Sequence, residues 1–530
     1  MQLDYIPFSK TGYFSSLICD YLDEKSTISP FYNRFPKIEN FKAQIEEKQL
    51  SFSAESRTIL SNVLKKQYQK LNTSEVTLQH IETLNSNKTF TVTTGHQLNL
   101  FTGPLYFLYK IVSAINLSKE LKAKYPEYHF VPIYWMATED HDFDEINYFN
   151  FKGKKVLWNK NASGAVGELT NEGLADVFKL FSKDLGSSKN AEYIKKLFKE
   201  AYLNHNNLAD ATRFLANELF KDYGLVIIDA NNPELKRLFI PFIKDELLNQ
   251  TSFKTVTETN KALSENYGIQ VNPREINLFY LKENLRERIV FEDDVYKVLN
   301  TNIVWRKSDI LKEVLDFPER FSPNVIMRPL YQEVVLPNLC YIGGGGELAY
   351  WFQLKSYFNK VEVPYPILLL RNSVLIQTER QQKKLEKLNI STENVFLKRS
   401  TFINKKVREI SNIDIDFSTQ KAYLVNQFKA LYKLAEQTDK SFLGAVKAQE
   451  VKQLKGLENL EKRLLKAQKR KLSDVVLRMT ELQNELFPNQ SLQERNTNFS
   501  EFYLEYGDEL ILKLIENLKP LKGEFSILTL

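Results

Sequence analysis

An almost uninterrupted apolar run, Phe130–Ala137, most constrains what this chain can fold into. Short continuous runs of this kind, rich in β-branched and aromatic residues, are typical of a strand that is covered on both faces, as in a parallel sheet. The run is far shorter than the roughly 20 apolar residues that a membrane-spanning helix needs. The sequence therefore predicts a buried strand inside an α/β domain, and we expect no membrane partner.

The same arrangement occurs three times along the chain. A β-branched segment, Phe90–Thr94, leads through Gly95 into a helix predicted from Pro104 to about Lys122, and Phe130–Ala137 follows. Strand, helix and strand in that order form the crossover unit of a parallel sheet. The later occurrences comprise the strand Leu225–Asp229 with a helix that Asn232 caps, and the strands Leu339–Ile342 and Pro366–Leu370 around a helix from Glu347. We therefore predict an α/β fold with a doubly wound parallel sheet.

One segment within this pattern has a different character. Residues 270–299 are rich in alternating Val, Ile, Phe and Tyr, and turn signals occur at Asn272–Pro273 and Asp293–Asp294. Such alternation is typical of strands with one buried face. We expect an antiparallel insertion over about residues 265–300, inside a catalytic core that comprises residues 1–415.

The segment from Thr419 to Leu486 contains no proline, and its apolar residues recur at intervals of three and four. This spacing predicts the paired helices of a coiled coil, the second capped by Asp439 and continuous to Leu486 before Pro488 ends it. We place the coiled coil at residues 416–488 and a C-terminal segment that returns to the core at residues 489–530. The apolar seam needs a partner, and the alternatives are the first helix, a second subunit or both. Of these we favour a homodimer formed through the coiled coil.

The charge balance and the cysteine count exclude several classes of protein. The chain has 530 residues, with 72 Lys and Arg against 66 Asp and Glu, which fits neither a polybasic tail protein nor an acidic disordered one. Its two cysteines, Cys19 and Cys340, are too few and too far apart for a disulfide framework or a metal knuckle, and we expect Cys340 to be a buried structural thiol. No export signal is visible, so we expect a cytoplasmic protein.

Polar residues follow the first predicted strand at its carboxyl end, where open α/β sheets bind ligands. This segment is Thr94-Gly95-His96-Gln97, and its glycine allows the backbone to come close to a phosphate or a carboxylate. His96 is then able to stabilise an anion or to move a proton near neutral pH. The alternative is a histidine that is only hydrogen-bonded within a loop.

A dense acidic cluster follows the second predicted strand. Residues 138–145 contain five carboxylates around His141, among them Glu139, Asp140 and Asp142. Because the cluster follows the most apolar strand, we predict that one carboxylate accepts a proton from an amine nucleophile or holds a substrate ammonium group. A solvated surface run is the alternative. Metal binding is a further one, but no established metal motif has this spacing, and we predict no metal site.

A run of four glycines joins a predicted strand to the helix that begins near Glu347, and it comprises Gly343, Gly344, Gly345 and Gly346. Backbone amides at such a junction are able to bind an anion, although the run matches neither a P-loop nor a dinucleotide fingerprint. A tight turn with positive φ is the alternative.

Upstream of the glycine run, Arg328 and Gln332 share one face of a predicted helix that also contains Glu333, and a surface position is the default for all three.

Positive charge is concentrated between Lys447 and Lys471, where nine Lys and Arg face three Glu. A nucleic acid is able to follow such a basic stripe. Interleaved aromatic residues are missing, and lysine-rich helix faces are commonly just solvated. We therefore keep nucleic-acid binding, through a synthetase-like core and this basic arm, as the alternative function.

Five segments together resemble the bacillithiol-biosynthesis cysteine ligase (BshC) family. They occur in the family's order, they span most of the chain, and they comprise Thr94–Tyr106, Trp135–Phe143, Arg328–Glu333, Ile342–Trp351 and Leu492–Asn496. The resemblance implies a Rossmann-like core with connecting inserts and a long coiled-coil domain that is used in dimerisation.

The resemblance also implies a function, the joining of cysteine to the amine of glucosaminyl malate in the last step of bacillithiol assembly. Forming an amide from a free carboxylate is uphill, so we expect ATP, with Mg²⁺, to activate the cysteine carboxylate as an adenylate or as an acyl phosphate. The sequence leaves AMP and ADP open as products. We expect these small molecules as partners, and we do not expect nucleic acid.

On this hypothesis, each candidate residue has a role. The nucleotide phosphates are contacted by His96, by its neighbours Thr94 and Gly95, and by the glycine run. Further binding residues are Arg328, Gln332 and Glu347. Gln97 positions the acyl group. One carboxylate holds or deprotonates the sugar amine, and His141 orients that carboxylate. The candidates for this carboxylate are Glu139, Asp140 and Asp142.

Overall fold

The computed structural model describes residues 2–530 and divides into two compact units. The first unit comprises residues 2–375 and 493–528, and the second comprises residues 376–492 and 529–530. The predicted limits of folding domains at residues 415 and 488 stay predictions.

Fifteen strands within residues 2–530 form four sheets. They are β1 (Gln2–Ile6), β2 (Thr89–His96), β3 (His129–Met136), β4 (Tyr148–Phe151), β5 (Lys154–Leu157), β6 (Val226–Asp229), β7 (Leu278–Lys282), β8 (Leu285–Glu292), β9 (Val295–Val298), β10 (Val304–Trp305), β11 (Phe321–Pro323), β12 (Asn338–Gly343), β13 (Ile367–Leu370), β14 (Val374–Gln377) and β15 (Phe525–Thr529).

The α-helices of the first unit precede and follow the second unit in sequence. They are α1 (Phe8–Thr11), α2 (Ser16–Leu22), α3 (Phe41–Ser51), α4 (Ala54–Tyr68), α5 (Glu75–Thr83), α6 (Tyr106–Lys124), α7 (Phe143–Ile146), α8 (Leu174–Leu185), α9 (Lys189–Leu203), α10 (Leu208–Phe220), α11 (Pro233–Asn249), α12 (Thr251–Leu263), α13 (Lys307–Asp316), α14 (Arg328–Val335), α15 (Gly345–Trp351) and α16 (Lys355–Lys360). The second unit contains α17 (Glu379–Lys387), α18 (Thr392–Val395), α19 (Arg399–Ile410), α20 (Ser418–Ala435), α21 (Lys440–Lys471) and α22 (Ser473–Leu486). The chain then continues with α23 (Gln493–Asn496), α24 (Phe499–Tyr506) and α25 (Glu509–Asn517).

The central sheet is parallel throughout, with the strand order β13-β12-β2-β3-β6. The predicted α/β fold is confirmed. From β2 the chain continues outward to β3 and β6, and it later returns to the other side of β2 to add β12 and β13. The strand order therefore reverses between β2 and β12, and ligands of open α/β sheets bind beyond the carboxyl ends of the strands at such a switch point.

Burial explains why the apolar runs form these strands. All eight residues of β2 are buried, and only the first residue of β3, His129, is exposed. Helix α6 packs its long apolar face over the sheet, where Ala114, Leu117 and Leu121 join one core cluster with residues of β2 and β12. Helix α6 begins at Tyr106, two residues later than the start predicted at Pro104. The cap predicted at Asn232 is confirmed, because its side chain accepts hydrogen bonds from the first turn of α11.

The insertion contains a five-stranded antiparallel sheet in the order β10-β9-β8-β7-β11. This sheet extends to Pro323, beyond the limit of about residue 300 that the sequence predicted. Asp293 and Asp294 both have positive φ between β8 and β9, and two such residues are what a tight hairpin turn requires. The insertion belongs to the first unit, as does the parallel sheet.

The second unit contains the predicted coiled-coil helices. Tyr432 near the end of α20 donates a hydrogen bond to Glu450, whereas Lys421 near its start pairs with Glu461, so α20 and α21 are antiparallel. Asp439 caps α21 as predicted, because its carboxylate accepts hydrogen bonds from the backbone of the first turn. Homodimer formation through these helices and nucleic-acid binding by their basic stretch stay predictions.

The expectation of one continuous helix to Leu486 is wrong, because the helix is interrupted at Leu472. The backbone of Leu472 has φ −101° and ψ 25°, outside the helical range. Three consecutive cations, Lys469–Lys471, end α21 where the negative end of the helix dipole favours them, and Asp474 lies in the first turn of α22. Within residues 2–530, no helix is both long and apolar enough to cross a membrane.

A buried ion pair attaches the C-terminal segment to the end of β13. Arg371 follows β13 directly, and its guanidinium donates to both carboxylate oxygens of Glu494, at 3.0 Å from Nη1 and 2.7 Å from Nη2. The backbone amide of Val374 also donates to Glu494, at 3.1 Å. Both side chains of the pair are buried, and all of these residues belong to the first unit.

We predict that Glu494→Ala destabilises the first unit by about 3–5 kcal/mol, because removing one partner leaves a buried guanidinium without its counter-charge. Urea unfolding followed by tryptophan fluorescence measures this, since all four tryptophans lie in the first unit. Glu509→Ala, which removes only an exposed ion pair, is the control and should leave the midpoint nearly unchanged. Equal midpoints for both variants would contradict the role assigned to the pair.

Candidate active site

A cavity of about 1180 Å³ lies beyond the carboxyl ends of the parallel strands. Residues at the carboxyl ends of all five strands line it, and these are Gly95–Gln97, Ala137–His141, Ala230–Asn231, Gly344–Glu347 and Arg371. The inserted sheet and the C-terminal segment complete the wall with residues such as Phe279, Arg286 and Arg495. The cavity therefore occupies the position in which this class of sheet binds ligands.

The structure brings most of the predicted site residues to this cavity. Those that line it are Gly95, His96, Gln97, Glu139, Asp140, His141, Arg328, Gly344, Gly345, Gly346 and Glu347. Thr94, Asp142, Gln332 and Gly343 are not among the lining residues. Thr94 instead donates a hydrogen bond to the carbonyl of Ile342, at 2.8 Å, and so joins β2 to β12.

Arg328 enters the cavity from the start of α14, supported from beneath by buried side chains. Its guanidinium donates to Gln332 at 3.1 Å, and Gln332 donates to Glu333 at 3.0 Å. Glu333 in turn pairs with the buried Lys48. The default expectation of a surface position is therefore wrong for Gln332 and Glu333, because both side chains belong to this internal network.

His96 is buried, and its ring contacts Tyr106 and Phe107. Burial, with further contributions from the positive charges of Lys110 and Arg371, holds the pKa of His96 well below its usual range, although a hydrogen bond to the backbone of Thr102 opposes the shift. His96 is thus neutral at pH 7. Its Nε2 is buried without a hydrogen-bond partner. Because the other ring nitrogen donates to a carbonyl, Nε2 presents a lone pair and suits a ligand group that donates a hydrogen bond.

Asp140 is the best-defined carboxylate of the acidic cluster. One oxygen accepts a hydrogen bond from Gln97 at 2.9 Å, and the other accepts one from the backbone amide of His141 at 2.8 Å. Burial alone raises the pKa of Asp140, but hydrogen bonds from His141 and Gln97 and the charge of Arg286 hold it well below its usual range. A carboxylate that stays ionised in this way suits the binding of an ammonium group better than the removal of its proton.

The neighbouring acids are placed differently. Glu139 pairs with the buried Lys236 at 2.7 Å and accepts a hydrogen bond from Ser322 at 2.6 Å, so its charge is already matched. Asp142 is exposed at the start of the short helix α7. Burial and the nearby carboxylates of Glu145 and Asp140 raise the pKa of Asp142.

Lys110 connects the two loops on either side of the switch point. Its ammonium group donates to the carbonyl of Gly95 at 2.7 Å and pairs with Glu347 at 2.6 Å. Burial alone raises the pKa of Glu347, but the charge of Lys110 and the hydrogen bonds from Gly344 and Tyr341 bring it below its usual value. Glu347 is therefore an ionised acid inside the loop, and the amide of Gly344 is already bound to it.

The glycine run does not form the positive-φ turn considered as the alternative, since none of the four glycines has positive φ. Close packing explains part of the run. A Cβ atom on Gly343 would lie 2.8 Å from Leu348, and one on Gly345 would lie 3.3 Å from Ile18. Gly346 has open space around it, so packing does not explain that residue.

Sequence reasoning missed several cations that line the cavity. They are Lys110, Arg274, Arg286, Arg288, Arg371 and Arg495. Two signals were present in the sequence, because Lys110 interrupts an apolar helix face and Arg371 directly follows a predicted strand. With Arg328 the lining has seven Lys and Arg against four carboxylates, so the cavity is suited to anionic ligands. Within residues 2–530, no group of three or more His, Cys, Asp or Glu has the geometry of a metal site.

Comparison with known proteins agrees with this fold. Residues 1–372 match the family described as the N-terminal Rossmann-like domain of bacillithiol biosynthesis BshC, and residues 374–530 match its C-terminal coiled-coil domain. This chain belongs to the BshC family. The family resemblance and the Rossmann-like and coiled-coil architecture that it implied are thereby confirmed.

Relatives in this family match over nearly their full length. Proteins named "Putative cysteine ligase BshC" are 61% identical in Flavobacterium johnsoniae, with all of both chains covered, and 38% identical in Cytophaga hutchinsonii, with 98% of this chain and 97% of the relative covered. Among solved structures, arginyl-tRNA synthetase from Plasmodium falciparum overlaps with 82% of this chain and 77% of its own at 10% identity. Its TM-score of 0.24 is too low to support an argument.

The buried, neutral state of His96 predicts a pH dependence of stability. The unfolded chain binds a proton at this residue near pH 6.5, whereas the folded chain does not. The free energy of unfolding should therefore fall as the pH is lowered below about 6.5, by up to about 1.4 kcal/mol per pH unit for this group, and should not depend on it above that pH. Urea unfolding of the wild type and of His96→Gln at pH 5, 6 and 7 measures the difference. Parallel pH profiles would show that His96 is protonated in the folded protein.

Proposed function

We propose that this chain is the cysteine-adding ligase of bacillithiol biosynthesis, which joins the carboxyl group of cysteine to the amine of glucosaminyl malate. Membership of the BshC family supports this assignment, as do the names of its relatives. The observation that carries it is the strand-end cavity, in which an ionised Asp140 lies among an excess of cations. Such a cavity suits a substrate ammonium group together with several carboxylates and phosphates.

The proposal includes activation of cysteine by ATP, because a free carboxylate does not form an amide spontaneously. A carboxylate oxygen attacks the α-phosphorus and releases pyrophosphate, or it attacks the γ-phosphorus and releases ADP. The sugar amine then attacks the acyl carbon, loses a proton and displaces AMP in the first case or phosphate in the second. Both routes balance, and both leave one former carboxylate oxygen on phosphorus.

The nucleotide phosphates fit the side of the cavity formed by β2, β12 and β13. Arg371 has its Nε buried without a hydrogen-bond partner, and Arg328 contacts neutral side chains there without a carboxylate partner. The glycine run borders the same side. Mg²⁺ would be carried by the phosphates and water, which is how this ion is usually held beside a nucleotide.

The amine fits the side formed by the loop after β3. Asp140 holds the ammonium group, and Gln97, which donates to both Asp140 and Glu145, fixes the carboxylate. His96 offers a neutral acceptor at Nε2, which suits a ligand N–H or O–H group and does not suit a phosphate. These placements divide the cavity into an amine side and a phosphate side.

We predict that Asp140→Asn lowers kcat/KM for glucosaminyl malate by about 100-fold or more, because the ammonium group loses its half-buried counter-charge. Asp142→Asn is the matched control, since it removes an equal charge two residues away from an exposed position, and it should change the value by less than about threefold. Mass spectrometry of bacillithiol formed from cysteine, glucosaminyl malate, ATP and Mg²⁺ measures both.

Two results would contradict the assignment. If the folded wild-type protein forms no bacillithiol in this assay, the chain is not a ligase that uses ATP and Mg²⁺ to join these two substrates. If Asp142→Asn lowers the rate and Asp140→Asn does not, the amine is bound by the exposed part of the acidic cluster instead.

A further inference from the structure

The insertion contributes three arginines to the cavity, Arg286 and Arg288 from β8 and Arg274 from the segment before β7. Arg286 and Arg288 are two residues apart on β8, so their side chains lie on the same face of the sheet. The residue between them, Glu287, lies on the other face and accepts a hydrogen bond from Asn300. The insertion therefore presents a row of cations to the cavity without the intervening acid.

Arg286 is held firmly against the loop after β3. Its guanidinium lies 4.0 Å from the ring centre of Phe279, and it donates hydrogen bonds to His141 and Ser322. Burial lowers the pKa of Arg286, and the charges of Asp140 and Glu139 oppose that shift without cancelling it. Its Nε is buried without a hydrogen-bond partner. This desolvated cation thus has an unused donor.

The charge pairing of the insertion arginines differs from that of two cations on the phosphate side, Lys110 and Arg371. Lys110 and Arg371 are each matched by one buried or partly buried carboxylate. Among the ion pairs of residues 2–530, by contrast, none includes Arg274, Arg286 or Arg288. Asp140 and Glu139 lie near Arg286 but form no direct ion pair with it. Cations that line a cavity without a direct ion pair favour an anionic ligand, and a guanidinium is able to bind a carboxylate through two parallel hydrogen bonds.

The neighbourhood indicates which anion the arginines bind. Asp140 lies near Arg286, and Glu145 accepts a hydrogen bond from the same Gln97 amide as Asp140. These two carboxylates disfavour the concentrated negative charge of nucleotide phosphates on this side of the cavity. A ligand with an ammonium group and carboxylates in one molecule matches both charges at once. On the proposed function, that ligand is the amine substrate, whose malate portion carries two carboxylates.

We propose that Arg286 and Arg288, with Arg274 at the edge of the cavity, form the subsite for the malate carboxylates of the amine substrate. This inference rests on the proposed function and adds the place where the malate binds. It makes the insertion the element that distinguishes glucosaminyl malate from a sugar amine without malate.

Arg288→Gln tests the subsite, because Arg288 has no ion pair whose loss would disturb the fold. We expect kcat/KM for glucosaminyl malate to fall about 10- to 100-fold, the range for one charge-assisted hydrogen bond. The KM values for ATP and cysteine should stay within about twofold. Arg288→Lys, which keeps the charge and loses the paired geometry, should give an intermediate loss. Arg306→Gln, an exposed arginine outside the cavity lining, is the matched control.

Inhibition by free malate provides a second measurement. Malate should compete with glucosaminyl malate on the wild type, and its inhibition constant should rise about tenfold or more in Arg288→Gln. Malate that does not compete, or that inhibits both proteins equally, would overturn the subsite. A rise in the KM for ATP in place of that for glucosaminyl malate would assign the arginines to the phosphates and would also overturn it.

The outcomes separate this inference from the proposed function. A wild-type protein that forms no bacillithiol removes the function and takes this inference with it. A wild-type protein that forms bacillithiol, with unchanged kinetics in Arg288→Gln, removes only the malate subsite and leaves the ligase assignment intact.

Discussion

The ammonium group of Lys110, buried beneath the switch point of the parallel sheet, is the contact on which the site depends. It joins the carbonyl at the end of β2 to the carboxylate of Glu347, which in turn binds the amide of Gly344. Two regions that are far apart in sequence, residues 95–110 and residues 344–347, therefore share one buried charge. Since an unpaired ammonium is costly to bury, the loops around the cavity are held together with little freedom to separate.

Other buried cations around the cavity are also paired with carboxylates. Arg371 is neutralised by Glu494 and Lys236 by Glu139, so these buried cations are matched within the protein. Arg328 and the arginines of the insertion are not matched in this way. The cavity consequently combines a fixed set of internal ion pairs with several cations that are available to ligands. Asp140 adds an ionised carboxylate to the same cavity.

Much of this was predictable from local patterns in the sequence. The apolar run of β3 and the strand–helix–strand order indicated the parallel sheet, and the polar segments after β2, β3 and β12 indicated its functional edge. The break at Leu472 was missed because a continuous apolar spacing obscured the charge change on either side of it. Lys110, Arg286 and Arg371 were missed because their importance comes from partners that are distant in sequence, which periodicity and spacing do not report.

The central claim is that cysteine is activated through its carboxylate within this cavity, and oxygen transfer tests it most directly. The protein is supplied with cysteine labelled with ¹⁸O in both carboxylate oxygens, together with ATP, Mg²⁺ and glucosaminyl malate. Mass spectrometry of the nucleotide and phosphate products should find one ¹⁸O atom per bacillithiol formed, in AMP for an adenylate or in inorganic phosphate for an acyl phosphate. Bacillithiol formed without label in either product would contradict activation by phosphoryl or nucleotidyl transfer.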